Sequence, residues 1–159
     1  MNHIIVEDKL RDTNPVPVVI AFTPNYFIPA STCLYSIFAS LDTEEQMHVI
    51  CLLSEELPDR LKQKIQLIGG ERAQYSFINL QGRLQNIYID AKYTEAASYR
   101  LLLPDLLLEY DKVMYIDCDI IVRNNLVKLY RSVDLGNHYL AAVFEAPMDF
   151  QLGHLKAIG

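Results

Sequence analysis

Two carboxylates one residue apart, Asp117 and Asp119, close the apolar run Val113-Met114-Tyr115-Ile116. Strand side chains alternate faces, so carboxylates at i and i+2 project from one side while Cys118 points the other way, toward packing. Like charges held that close repel each other, and a hard divalent cation beside them is the usual compensation. Such a cation attracts phosphate oxygens in turn. The pattern points to a metal–diphosphate site at the C-terminal end of a strand, where open α/β sheets bind ligands. The same triplet also occurs as a plain solvated strand end. Its place after a buried-type strand, with Ile120-Ile121-Val122 following, is what favours chemistry here.

Those residues need a scaffold, and hydropathy patterning supplies one. Val16 to Phe22 is an apolar, β-branched run that reads as a first buried strand, followed by turn residues Thr23-Pro24-Asn25. From Pro29 to Ser40 the apolar residues Ala30, Cys33, Leu34, Ile37 and Phe38 recur at helical spacing, with proline in the first turn. Met47 to Leu53 is a second strand. Ser54 is expected to cap a helix that carries Leu61, Ile65, Leu67 and Ile68 and stops at Gly69-Gly70. Gln74 to Asn79 is a third strand. Glu95 to Tyr110 reads as a helix in which Pro104 forces a kink or a break. Lys112 to Ile116 and Ile120 to Val122 flank the acidic triplet, Leu126 to Tyr130 is a short helix, and Tyr139 to Phe144 is a last strand. This β-α-β-α-β alternation predicts an α/β fold with a mostly parallel sheet flanked by helices.

Bulk properties narrow the class. The chain has 159 residues, 51% hydrophobic and 21% charged, enough for one packed domain. Its net charge of −6 and lack of basic clusters exclude a nucleic-acid partner, because phosphate backbones need a basic surface. Cys33, Cys51 and Cys118 each lie in an apolar segment and read as reduced, buried thiols, which implies a cytoplasmic protein. The polar leader at residues 1–15 does not resemble a signal peptide, and no apolar stretch approaches the roughly 20 residues that span a bilayer. The chain ends at Gly159 without a closing element and so reads as apparently truncated.

Two chemistries place D-x-D after a strand. Phosphotransferases of the haloacid-dehalogenase type carry it on their first strand, whereas here it follows about the fourth, with only 40 residues remaining for further motifs. Nucleotide-sugar transferases carry it deep in the chain, as here. The turn Ala21-Phe22-Thr23-Pro24-Asn25-Tyr26 resembles the uridine-binding turn of glycosyltransferase family 8. The stretches from Ser98 to Leu107 and from Asp111 to Val122 are similar to that family's most specific block, and Leu135-Gly136 with Tyr139-Leu140-Ala141-Ala142-Val143 also fits. The resemblance covers Val16 to about Glu145.

The resemblance implies a GT-A (nucleotide-diphospho-sugar transferase) fold and a metal-dependent, retaining transferase of the lipopolysaccharide galactosyl- or glucosyltransferase kind. It would move glucose or galactose from UDP-glucose or UDP-galactose to a saccharide acceptor. By the same resemblance, Tyr26 would stack on uracil, while Asn25 and the backbone at Ala21 would hold the uridine. Asp117 would touch the donor ribose and the metal, Asp119 would bind the metal, Mn²⁺ or Mg²⁺, and Cys118 between them counts with the donor-binding residues. Arg100 would reach the donor sugar or diphosphate as a forked cation, although an arginine on an apolar helix also snorkels to solvent. Thr23 replaces the acidic residue the family commonly uses to accept the uracil N–H, and Glu145 replaces an Asp that faces the donor sugar.

The family's C-terminal half supplies a metal-binding histidine, a diphosphate-binding motif and most of the acceptor site. None of His3, His48, His138 or His154 lies in a matching motif. Residues 16–159 are therefore expected to form the donor-binding domain without the acceptor part. Any membrane-surface association would come through that missing part, and an exposed docking face would predict a dimer. A truncated, catalytically inactive binding module, or an α/β interaction domain without a ligand, are the alternatives.

Overall fold

The computed structural model describes residues 14–84 and 95–143. Four strands, β1 (Val16–Phe22), β2 (Met47–Leu53), β3 (Ala73–Asn79) and β4 (Met114–Asp117), form one parallel sheet in the order β3-β2-β1-β4. The chain leaves β1 toward β2 on one side and returns to β4 on the other. The strand order therefore reverses at the β1–β4 boundary, the switch point beyond whose C-terminal strand ends open α/β sheets place their ligand crevice.

All seven residues of β1 are buried, which is why it reads as an unbroken apolar run without alternation. Val18, Ile20 and Phe22 pack on one face against Ala30, Cys33, Leu34, Ile37 and Phe38 of helix α1 (Phe27–Ser40). That face also receives Ile65 of α2 (Asp59–Gln66) and Leu126 and Val127 of α5 (Leu126–Ser132). Val19 and Ala21 face the other way, onto Leu80, Ala96, Tyr99 and Leu107. The five predicted apolar positions of α1 are the five it buries.

Several expectations need correction. Glu95 to Tyr110 is not one helix. It divides into α3 (Glu95–Ser98), a 3₁₀ turn over Tyr99–Leu102, and α4 (Leu103–Leu106). Pro104 sits in the first turn of α4, where its missing N–H leaves no helical carbonyl unmet. Ser54 does not cap α2, which starts at Asp59 behind Pro58 after the intervening chain has sunk Leu57 into the core. The Ser54 hydroxyl is buried with no partner among the described residues. Residues 139–143 do not form the expected strand, and Tyr139, Leu140 and Val143 are exposed. Strand propensity needs a ladder partner, and none of the four strands pairs with this segment. Phe144 lies outside the described residues.

Gly69 ends the α2 segment in the left-handed region, at φ 85°. It is also tightly enclosed: a Cβ there would stand 2.8 Å from Ala73 Cβ and from two ring atoms of Phe38.

Candidate functional site

The site is built where β1 and β4 end side by side. In their parallel register Ala21 stands opposite Asp117, so the turn leaving β1 and the acidic turn leaving β4 emerge together at the C-terminal edge. After β1, Thr23 stays extended and Pro24–Tyr26 forms a 3₁₀ turn closed by the Tyr26 N–H donating to the Thr23 carbonyl at 2.8 Å. Proline at its first position pre-sets the φ this turn requires. Asn25 and Tyr26 are exposed on this turn, so both side chains are accessible to a ligand.

Asp117 is the last residue of β4, and Cys118 and Asp119 lie in the turn beyond it. The strand alternation therefore fixes the direction of Asp117 alone, and the expectation that Asp119 shares its face through the pleat is corrected. Asp119 is exposed on the turn, while Cys118 is buried in the α1-side core. Whatever Cys118 offers a ligand must come from its backbone.

Arg100 reaches Asp117 from the opposite layer. Its Nη2 donates to Asp117 Oδ1 at 3.0 Å and its Nε donates to the Ala97 carbonyl at 2.8 Å, with the guanidinium 4.7 Å from the Tyr115 ring centre. A snorkelling arginine would have no such fixed seat. The two side chains of the pair are 46% and 56% exposed, so their contact adds little to stability, and its consequence is orientation of a forked cation at the crevice. Burial raises the Tyr115 hydroxyl above its ordinary pKa, opposed by the neighbouring guanidinium. Tyr115 is a participant the sequence reading missed. Its signal was available: it sits two residues before Asp117 and so on the same face of the strand.

Behind the acidic turn lie two thiols. Burial pushes Cys33 up to about 11, with the Cys118 thiol adding to the effect. Cys118 is likewise pushed up to about 11, by burial first and then by the Asp119 carboxylate. Both are thus protonated, packed groups at neutral pH.

The donor set at this edge suits a hard cation: two carboxylates, open to solvent, with room for oxygens from a ligand. Among the described residues no group of three or more His, Cys, Asp or Glu could hold a metal ion. The structure brings together Ala21, Thr23, Asn25, Tyr26, Arg100, Asp117, Cys118 and Asp119 around the β1 and β4 ends. Glu145 lies outside the described residues.

A parallel sheet with a switch point, an exposed aromatic turn after β1 and an acidic turn after the adjacent strand make an α/β domain of the GT-A kind. Solved structures agree. The galactosyltransferase LgtC, determined with donor and acceptor sugar analogues, superposes with a TM-score of 0.67 at 25% identity, covering 91% of this chain and 52% of that one. The bifunctional glycosyltransferase WbbM in its apo form gives 0.66 at 25% identity, covering 86% and 23%. Glycosyltransferase GlyE of Streptococcus pneumoniae serotype 4 is 31% identical over 113 residues, 67% of this chain and 27% of that protein. Residues 17–156 match glycosyl transferase family 8, and the chain belongs to that family. It spans between about a quarter and a half of the length of these relatives.

Proposed function

We propose that this chain is the donor-binding part of a retaining hexosyltransferase that passes glucose or galactose from a UDP-sugar to a saccharide acceptor. The observation that carries the reading is the register of Ala21 with Asp117, which sets an aromatic turn and an acidic turn side by side, with Arg100 fixed on Asp117. Tyr26 stacks on the uracil, Asn25 and the Ala21 backbone hold the uridine, and Thr23 accepts from the base. Asp117 holds the ribose and, with Asp119, Mn²⁺ or Mg²⁺. Glu145 faces the donor sugar. A bound divalent ion supplies positive charge to the leaving diphosphate. Arg100 adds a second, preformed cation that needs little reorientation to meet phosphate oxygens. No side chain is assigned as a nucleophile.

Residues 16–159 form the donor domain in this reading, and the acceptor site belongs to the further length that the relatives possess. The three free, buried thiols support a reducing, cytoplasmic setting, and similarity to LgtC, a galactosyltransferase solved with donor and acceptor sugar analogues, favours a saccharide acceptor. No helix among the described residues is long and apolar enough to cross a membrane.

Calorimetric titration with UDP, with and without Mn²⁺, tests the donor site. Binding strengthened by the metal is expected, and Asp119→Ala should abolish that strengthening. UDP affinity indifferent to both metal and substitution would end the proposal. Release of free UDP from UDP-glucose or UDP-galactose separates a transferase from a binding module.

A further inference from the structure

The acidic turn is held from behind by one stripe of α1. The Cys33 thiol donates to the carbonyl of Asp117 at 3.8 Å, a length ordinary for sulfur, and the N–H of Ile120 faces the same sulfur. One turn along the helix, the Ser36 hydroxyl donates to the Cys33 carbonyl at 2.7 Å and accepts the N–H of Val122 at 2.9 Å. One turn further, the Ser40 hydroxyl approaches the carbonyl of Asn124 at 3.2 Å. Residues 118–125 belong to no strand or helix, so their backbone groups have no regular ladder and take these side chains instead. Cys33 is fully buried, and it is the member of the stripe whose side chain bonds the strand-side limb of the turn at Asp117, with the Ile120 amide of the other limb facing it.

We propose that Cys33, seconded by Ser36, is a positioning residue that sets the Asp117–Asp119 turn for cation and diphosphate binding. The inference deepens the donor-site reading above and rests on it for its functional consequence. The same helix begins directly after the Pro24–Tyr26 turn, so one rigid element spaces the aromatic turn from the acidic turn. The chemistry required is narrow: a group small enough for the closed core that both donates and accepts. Alanine loses both bonds and leaves a void, valine fills the space but cannot bond, and serine keeps both capacities on a shorter arm.

Cys33→Val, Cys33→Ser and Ser36→Ala are compared with the unaltered protein by amide hydrogen exchange. The Ile120 and Val122 amides are expected to exchange at least about tenfold faster in the Val and Ala variants, respectively, with β1 and β2 amides unchanged. Serine should restore part of the Ile120 protection. Unchanged exchange at Ile120 in Cys33→Val overturns the proposal, whether or not the protein binds UDP. The functional arm is the UDP titration. The Mn²⁺-dependent gain in affinity should fall about tenfold in Cys33→Val while metal-free UDP affinity stays within about twofold, a split that general loss of packing would not produce. Equal loss with and without metal would also overturn it. If the unaltered protein shows no metal-dependent gain, the donor-site reading fails, and the exchange result alone decides whether Cys33 holds the turn.

Discussion

At the scale of single residues, Arg100 concentrates the most chemistry into one side chain. Its guanidinium is fixed by a backbone carbonyl, a carboxylate and an aromatic face before any ligand arrives, so little orientational entropy remains to be lost on meeting a diphosphate. Arg100→Ala is expected to weaken UDP binding by tenfold to a hundredfold, the equivalent of about 1.5–3 kcal/mol for a hydrogen bond to a charged group. Arg100→Lys should recover only part of that, because an ammonium keeps the charge but cannot donate in a fork and stack on Tyr115 together. Calorimetry on both variants checks this, and full recovery by lysine would mean that only net charge matters at the crevice. Stability should barely change in either, since both partners of the ion pair are about half exposed.

At the scale of elements, the turn at Gly69 joins two strains that any larger residue must meet. The backbone is left-handed, and a methyl group would collide with Ala73 and the Phe38 ring, which α1 holds in the core. Gly69→Ala should destabilise the fold by about 1–3 kcal/mol from the backbone alone, and by more from the collision, as read from urea unfolding midpoints. Gly70→Ala, also left-handed but with nothing near its missing Cβ, should cost less, and equal costs would show that the collision is relieved without penalty. This glycine pair was legible in the sequence, as were β1, β2 and the buried stripe of α1, because two-sided burial writes unbroken apolar runs and helical burial writes its own period. The 95–110 segment was half legible: Pro104 announced a break, but the 3₁₀ turn that carries Arg100 toward Asp117 depends on how Tyr99 seats beneath the sheet. Residues 139–143 misled because strand composition is local whereas pairing is not. Of the candidate site, the acidic and aromatic turns were readable from residue types. Cys33 looked like core, since a thiol that bonds a distant turn and a thiol that merely packs have the same helical spacing.

At the scale of the whole molecule, the sheet has two chemically different ends. The C-terminal edge is open and carries the candidate site. At the N-terminal edge, His48 at the start of β2 is held between the Tyr110 hydroxyl on Nδ1 and the Ser76 hydroxyl on Nε2, 2.8 Å away. Either hydroxyl donates or accepts, so a neutral imidazole satisfies both, whereas an imidazolium makes both accept and must be charged in a partly buried place. Burial accordingly lowers the His48 pKa below its ordinary 6.5, against an opposing pull from Glu109. As pH falls below 6.5 the unfolded chain binds the proton first, so the stability owed to neutral His48 is complete above that value and is lost progressively toward the lowered folded-state pKa. Among the described residues the one carboxylate with a resolved shift, Glu56, is lowered from 4.5 by Lys62 and Asn79, so its own loss of stability begins below that value, outside this window. Thermal melts between about pH 7.5 and pH 5 should therefore show a falling melting temperature that flattens in His48→Gln, which keeps a donor and an acceptor but does not titrate. Metal-dependent UDP binding, at the other end of the sheet, should not follow His48 through this range. A melting curve equally steep with glutamine at position 48 would place the proton uptake on another group and leave the hydroxyl–imidazole–hydroxyl chain a packing feature only.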